Sequence, residues 1–245
     1  MTHLSVNINK VALIRNSRGR DYPSVSWFSE RCLQLGAHGI TLHPRPDQRH
    51  ARYSDVHELK ALVDRFPGTE LNVEGNPTPD FLDVVIAAKA HQCTLVPDAP
   101  GQLTSDHGWD VRTEARRLEP ILARLREAGI RSSIFIDYDS PDMALARQLG
   151  ADRVELYTEP YAHHFTDPAQ RTRIRDGFAR ATETARAAGL GVNAGHDLNL
   201  DNLAHFLEIP GILEVSIGHA LIVECLAFGV QHVIESYLKI VRASA

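Results

Sequence analysis

Hydrophobic residues come in short clusters along this chain, and one local order returns four times. "LGAHGITLH" spans 35–43, "AGIRSSIFID" 128–137, "LGADRVELY" 149–157 and "AGLGVNAGH" 188–196. Each opens on a small or apolar residue and a glycine, runs through a short apolar strand and stops on a polar residue. The glycine suits the left-handed position just past a helix end. Helix, glycine, buried strand and polar tip is the rhythm of repeated βα units. Filling the intervals predicts eight strands, at 4–9, 39–43, 69–74, 92–96, 131–137, 152–157, 190–194 and 213–218.

Helical patterns follow most of these strands. In "SDVHELKALVDRF" the apolar positions Val56, Leu59, Leu62 and Val63 share a face, with Ser54 as the expected N-cap. "TPDFLDVVIAAKA" repeats the pattern with Thr78 as cap and Pro79 in the first turn. "DPAQRTRIRDGFARATETARAAG" opens on Asp167 and Pro168 and ends at Gly189. Eight βα units in 245 residues predict one α/β domain over 1–245, a (β/α)8 barrel with parallel strands. An open doubly wound sheet is the alternative. It usually has fewer strands and a glycine fingerprint, and neither GxGxxG nor GxxxxGK[ST] occurs. The loop "PDAPGQLTSDHGWD" at 97–110 is long enough to be a functional lid or a disordered segment, and in a barrel it sits over the active face.

Composition narrows the function classes. Hydrophobic content of 43% and charged content of 23% describe an ordinary globular protein. A formal net charge of −5 argues against a general nucleic-acid binder, while leaving room for a local basic pocket. Cys32, Cys93 and Cys225 lie far apart and form no CxxC pair, so no disulfide framework is expected. The N-terminus "MTHLSVNINK" has no long apolar run or cleavage site, and no segment has about 18 consecutive apolar residues. A cytoplasmic protein without membrane partners is expected.

In a barrel, polar residues at strand C-termini converge on one mouth. They are Asn7 and Asn9, His43, Glu74, Asp137, Glu155 and Tyr157, Asn193 with His196, and Gly218 with His219. One such residue alone is more often a satisfied core polar group than a functional one. His43, Glu74 and His196 together can move protons, because burial and neighbours drive their pKa values apart. Two histidines and a glutamate could also bind zinc. The absence of HxH or HExxH spacing, and the cations Lys10, Arg45 and Arg49, speak against a metal. Gly218 and His219 in "IGHA" stand where a strand turns into the last helix, a place where barrels often bind phosphate, and "NAGHD" at 193–197 supplies the neighbouring loop. A second cationic cluster lies in "IRNSRGRDYP" at 14–23 and "RPDQRH" at 45–50; for Arg15, Arg18 and Arg20 a solvated loop is an equal reading. Two anion sites suggest one bis-phosphate or two phosphorylated substrates.

These motifs together resemble the pyridoxine 5′-phosphate synthase family. The resemblance is carried by "VNI" at 6–8, "RNSRG" at 15–19, "GITLHPRPDQRH" at 39–50, "LNVE" at 71–74, "LVPD" at 95–98, "FID" at 135–137, "YA" at 161–162, "VNAGH" at 192–196 and "IGHA" at 217–220. It implies a (β/α)8 barrel with extra helices, assembled as a homo-octamer. It also implies a cofactor-free condensation of 1-deoxy-D-xylulose 5-phosphate with 3-amino-2-oxopropyl phosphate. By matching position, His43 and Glu74 look like proton acceptors, His196 like a proton donor and Glu155 like the transition-state stabiliser. Arg45, His50 and Thr104 resemble the contacts of the sugar phosphate. Asn7, Arg18, Gly218 and His219 resemble those of the amino ketone phosphate.

The chain departs from that family at a few points. Asn9-Lys10 replaces a common Asp-His, and Lys10 is expected to strengthen the hold on the sugar phosphate. Asp197 replaces a glycine, where only its backbone N–H could serve a phosphate. Glu224 stands in place of an arginine. An aldolase or epimerase acting on another phosphorylated sugar, and a non-catalytic binding paralogue, are the alternatives.

Overall fold

The computed structural model describes residues 1–99 and 101–243; Pro100, within the 97–110 loop, and the last two residues lie outside the described residues. The chain begins with β1 (His3–Asn7), α1 (Asn9–Asn16), α2 (Val25–Gln34), β2 (Gly39–Leu42), α3 (Tyr53–Val63), β3 (Glu70–Gly75), α4 (Pro79–Ala88) and β4 (Gln92–Leu95). It continues with α5 (Val111–Glu127), β5 (Arg131–Ile136), α6 (Met143–Gln148), β6 (Arg153–Tyr157), α7 (Glu159–His163) and α8 (Pro168–Ala187). Last come β7 (Gly191–Gly195), α9 (Leu203–Phe206), β8 (Ile212–Ile217), α10 (His219–Phe228) and α11 (Val230–Ala243). The eight strands are parallel and close in sequence order, β1 pairing with both β2 and β8. This is the (β/α)8 barrel, and among the described residues α1, α7 and one helix of the α10–α11 pair come in addition to one helix per strand.

The glycines of the four recurring segments do what their position predicts. Gly36, Gly129, Gly150 and Gly189 have φ of +102°, +72°, +102° and +84°. Each ends a helix and turns the chain into the next strand. Thr78 and Asp167 cap α4 and α8, accepting from the backbone N–H of Phe81 and of Ala169 and Gln170. The expected cap at Ser54 is corrected: α3 starts at Tyr53, with Arg52 in the cap position. There the Asp55 carboxylate accepts the Arg52 backbone N–H at 2.7 Å, so the cap comes from inside the helix.

Alternation along the strands separates two environments. Leu4, Val6, Ile40, Leu42, Leu71, Val73, Cys93, Leu95, Val154, Leu156, Val215 and Ile217 face the helices and form the continuous hydrophobic core. Each such fully buried side chain contributes roughly 1.5–3 kcal/mol. The intervening residues Ser5, Thr41, Asn72, Glu74, Gln92, Thr94, Glu155, Asn193, Glu214 and Ser216 are buried too, yet polar. They bond to one another across the barrel: Ser5 with Thr41 at 2.6 Å, Thr94 to Asn72 at 3.1 Å, and Gln92 and Asn193 to Glu214 at 3.4 Å each. The inside is thus a hydrogen-bonded column beneath the mouth rather than stacked aliphatic layers.

Candidate active site

The first wall of the mouth is built on β2. His43 follows that strand directly, and its backbone N–H donates to Asn9 Oδ1 at 2.9 Å. The Asn9 N–H in turn donates to Asn7 Oδ1 at 3.0 Å. Asn9 therefore holds the catalytic candidate in place with its own side-chain oxygen. His43 is buried, and that burial, reinforced by Arg45, His50 and Arg49, holds its imidazole well below its usual pKa. A neutral ring at pH 7 has a free lone pair for a proton. His50 is driven down to about 4 by burial and by Arg45, Arg49 and Lys10. Its Nδ1 accepts the Ala51 backbone N–H at 2.9 Å, which leaves Nε2 to carry the proton as a donor.

Arg45 shows a partner that the sequence motifs did not single out as a site residue. Its guanidinium donates to Asp98 and, at 2.6 Å, to the Gln102 carbonyl. Asp98 also accepts from Ser105 Oγ at 3.0 Å and lies 3.8 Å from His43 Nε2. Asp98 Oδ1 and Arg45 Nε are buried without a hydrogen-bond partner among the described residues. Both groups thus keep unused bonding capacity. The signal available in the sequence was the aspartate of "LVPD", three residues beyond β4.

The floor is acidic. Glu74 Oε2 accepts from Asn7 Nδ2 at 3.4 Å, and Oε1 accepts from Ser216 Oγ at 3.4 Å and Asn72 Nδ2 at 3.5 Å. Glu155 accepts from Thr94 Oγ1 at 3.3 Å. Burial, together with Glu155 and Glu214, raises Glu74 well above the usual carboxylate range. Burial and then Glu214 push Glu155 up to about 8. Carboxyls this close cannot all ionise, so the floor shares protons and titrates as a set. Gly195 leaves the space that Glu155 fills: a Cβ there would lie 3.3 Å from the Glu155 carboxyl carbon and closer still to Oε1.

The opposite wall comes from β7 and β8. His196 sits just past β7, its ring edge-on to Tyr157 at 5.2 Å. Gly218 precedes α10, whose first residue is the exposed His219. A Cβ on Gly218 would press on Asn7 at 3.0–3.2 Å, so any larger residue there would force the Asn7 side chain to give. The loop 97–110 spans both walls. Its Gln102 carbonyl accepts from Arg45 and Arg49, while Thr104 Oγ1 meets His196 Nε2 at 3.1 Å. Its far end is pinned by Gly108 N–H to Asp137 Oδ2 at 3.1 Å, so Asp137 anchors the loop.

Other expected site residues fall differently. Arg18 and Arg20 are exposed on the turn after α1, and among the described residues no hydrogen bond or ion pair joins Arg18 to the mouth. Arg15 from the same motif is fully buried, forked onto Asp55 at 2.7 and 2.9 Å, and belongs to the scaffold. The Asp197 carboxylate turns toward His196 Nδ1, at 3.0 Å. Glu224 accepts from Leu200 N–H and Tyr237 OH, away from the mouth. Among the described residues no group of three or more His, Cys, Asp or Glu side chains could hold a metal.

A closed (β/α)8 barrel whose mouth gathers a buried imidazole, carboxyls raised by burial and, on one wall, the cations Arg45 and Arg49 places the protein in the class of barrel enzymes. Solved structures share that architecture at low identity. A mutant tryptophan synthase α-subunit from Pyrococcus furiosus superposes with a TM-score of 0.63 at 15% identity, over 98% of this chain and 97% of that one. Among curated proteins, the pyridoxine 5′-phosphate synthase of Albidiferax ferrireducens is 51% identical, over 97% of this chain and 96% of that protein. The protein of the same name from Bacteroides thetaiotaomicron is 49% identical, over 99% and 100%. Residues 4–243 match the family described as "Pyridoxal phosphate biosynthesis protein PdxJ", and the chain belongs to that family.

Proposed function

We propose that this protein is a pyridoxine 5′-phosphate synthase, a single-domain enzyme over residues 1–245. It joins 3-amino-2-oxopropyl phosphate to 1-deoxy-D-xylulose 5-phosphate and forms pyridoxine 5′-phosphate, inorganic phosphate and water. The observation that carries this reading is the pairing of two opposed walls across one acidic floor. His43, Arg45 and His50 line one wall, and His196, Gly218 and His219 the other, with Glu74 and Glu155 between.

Amine must meet ketone, phosphate must leave, and the ring must close with loss of water. Each step moves a proton. Neutral His43 accepts one, Glu74 exchanges protons with its neighbours, and His196 donates one to a departing oxygen. Glu155 stabilises developing positive charge as it gives up its own proton. Arg45, His50 and Thr104 hold the sugar phosphate, with Lys10 adding attraction. Asn7, Gly218, His219 and the backbone N–H of Asp197 hold the amino ketone phosphate, and Arg18 reaches it from its exposed turn. Fixing both phosphates makes a two-molecule reaction nearly intramolecular.

The protein works in the cytoplasm as a homo-oligomer, an octamer on the family pattern. Among the described residues no helix is long and apolar enough to cross a membrane. Leu13 and Ile14 on α1, and Val223, Leu226 and Phe228 on the neighbouring α10, expose large apolar side chains, which favours self-association. The function is tested by mixing both phosphorylated substrates with purified protein and following pyridoxine phosphate and phosphate release. Absence of product overturns it, and a borohydride-trapped adduct on Lys10 would point to an aldolase instead.

A further inference from the structure

Asp197, the residue after His196, has a side-chain partner at the mouth. Asp197 Oδ2 lies 3.0 Å from His196 Nδ1, while His196 Nε2 faces Thr104 Oγ1 at 3.1 Å. The backbone is bent to make this possible. His196 has φ +86° and Asp197 φ +60°, a region that favours glycine and in which aspartate and asparagine are the better tolerated side chains. The turn is tied down by Thr158 Oγ1 on the Gly195 and His196 carbonyls and by Asn202 Nδ2 on the Asp197 carbonyl at 3.2 Å.

We propose that Asp197 is a positioning residue for His196. Its carboxylate accepts the Nδ1 hydrogen, so that Nε2 is the nitrogen presented to the reacting centre, and its charge favours the imidazolium that gives up a proton. This rests on the reading of His196 as proton donor. The hydrogen bond from His196 holds the Asp197 carboxyl below its usual range against the upward push of burial, and His219 on α10 and Lys10 on α1 pull the same way. Tyr157 lies edge-on to the ring, its own hydroxyl pushed up by burial and by Glu159, Asp197, Asp106 and Asp137. Lys10 and Asp197 therefore set one positive and one negative charge in the same corner. An added carboxylate beside a phosphate site is offset by an added ammonium.

Asp197→Asn and Asp197→Gly both suit the left-handed backbone, so the fold is kept. In the substrate-free protein, the His196 ring is followed by 15N NMR against pH, assigned by its loss in His196→Gln. Removing the carboxylate should weaken the preference for a hydrogen on Nδ1, and in the glycine variant that preference should go. In turnover, kcat should fall at least tenfold, with both KM values within threefold. An unchanged His196 hydrogen position in the glycine variant overturns the proposal, as does unchanged kcat with a shifted KM. If the native protein makes no pyridoxine phosphate, the functional reading fails, and the NMR arm still decides whether Asp197 governs the His196 proton.

Discussion

Replacing Gly195 by alanine places one methyl against the acidic floor. The new carbon would stand 3.3 Å from the Glu155 carboxyl carbon, 3.4 Å from the Ser216 carbonyl oxygen and nearer still to Glu155 Oε1. Carbon atoms rest at about 3.5–4.0 Å, so the carboxyl group must retreat by roughly 0.5–1 Å. It has little room, since Glu155 is 3% exposed and its Oε2 is tied to Thr94. A displacement near 1 Å in a catalytic group costs on the order of 100-fold in rate, about 2.7 kcal/mol of transition-state stabilisation. Overpacking would separately cost about 1–3 kcal/mol of fold stability. Gly195→Ala should therefore fold with a lowered Tm, bind both phosphates almost normally and turn over about 100-fold slower. Steady-state kinetics on pyridoxine phosphate formation, with each substrate varied in turn, measures this. A kcat within threefold of native would mean that Glu155 is not held to a position that matters.

His43→Ala should lower kcat by roughly 10²–10⁴-fold while leaving binding nearly intact, whereas Arg45→Ala should mainly raise KM for the sugar phosphate; the reverse pattern would overturn the division of labour on the first wall. Lys10→Met should raise the sugar-phosphate KM, and an unchanged value would remove Lys10 from that site. Glu155, pushed up to about 8, binds more protons folded than unfolded, so it lowers stability as pH rises from its usual range towards 8. Glu155→Gln should consequently raise Tm relative to native at pH 8 more than at pH 5, by roughly 2–4 °C for each kcal/mol regained, as read by scanning calorimetry. Leu226→Glu should shift the protein to smaller species in light scattering if the exposed α1–α10 face joins subunits.

Much of the architecture was legible because it rests on local rules. Gly36, Gly129, Gly150 and Gly189 mark helix ends by a backbone conformation that one residue type adopts freely, and the strands begin and end within two residues of their expected bounds. The mouth was legible for the same reason, since strand ends converge in any such barrel. What could not be read depended on distant partners. Asp98 matters through Arg45, 53 residues earlier, and Arg15 is scaffold because Asp55, 40 residues on, accepts its fork. Ser54 looked like a cap by type, but a carboxylate one residue later took the role. The orientation of Asp197 depended on two successive left-handed residues, which a residue alphabet does not display.

The loop over the mouth has a thermodynamic consequence. Arg45, Arg49 and His196 do not wait in water: each already bonds to Gln102 or Thr104. An arriving ligand exchanges those bonds for its own, so its affinity is measured against a resident competitor. A mouth with the same groups left bare would grip its ground state harder without reacting faster. Were a ligand to displace those bonds, their loss would be subtracted equally from every bound species, raising KM without changing the step between them.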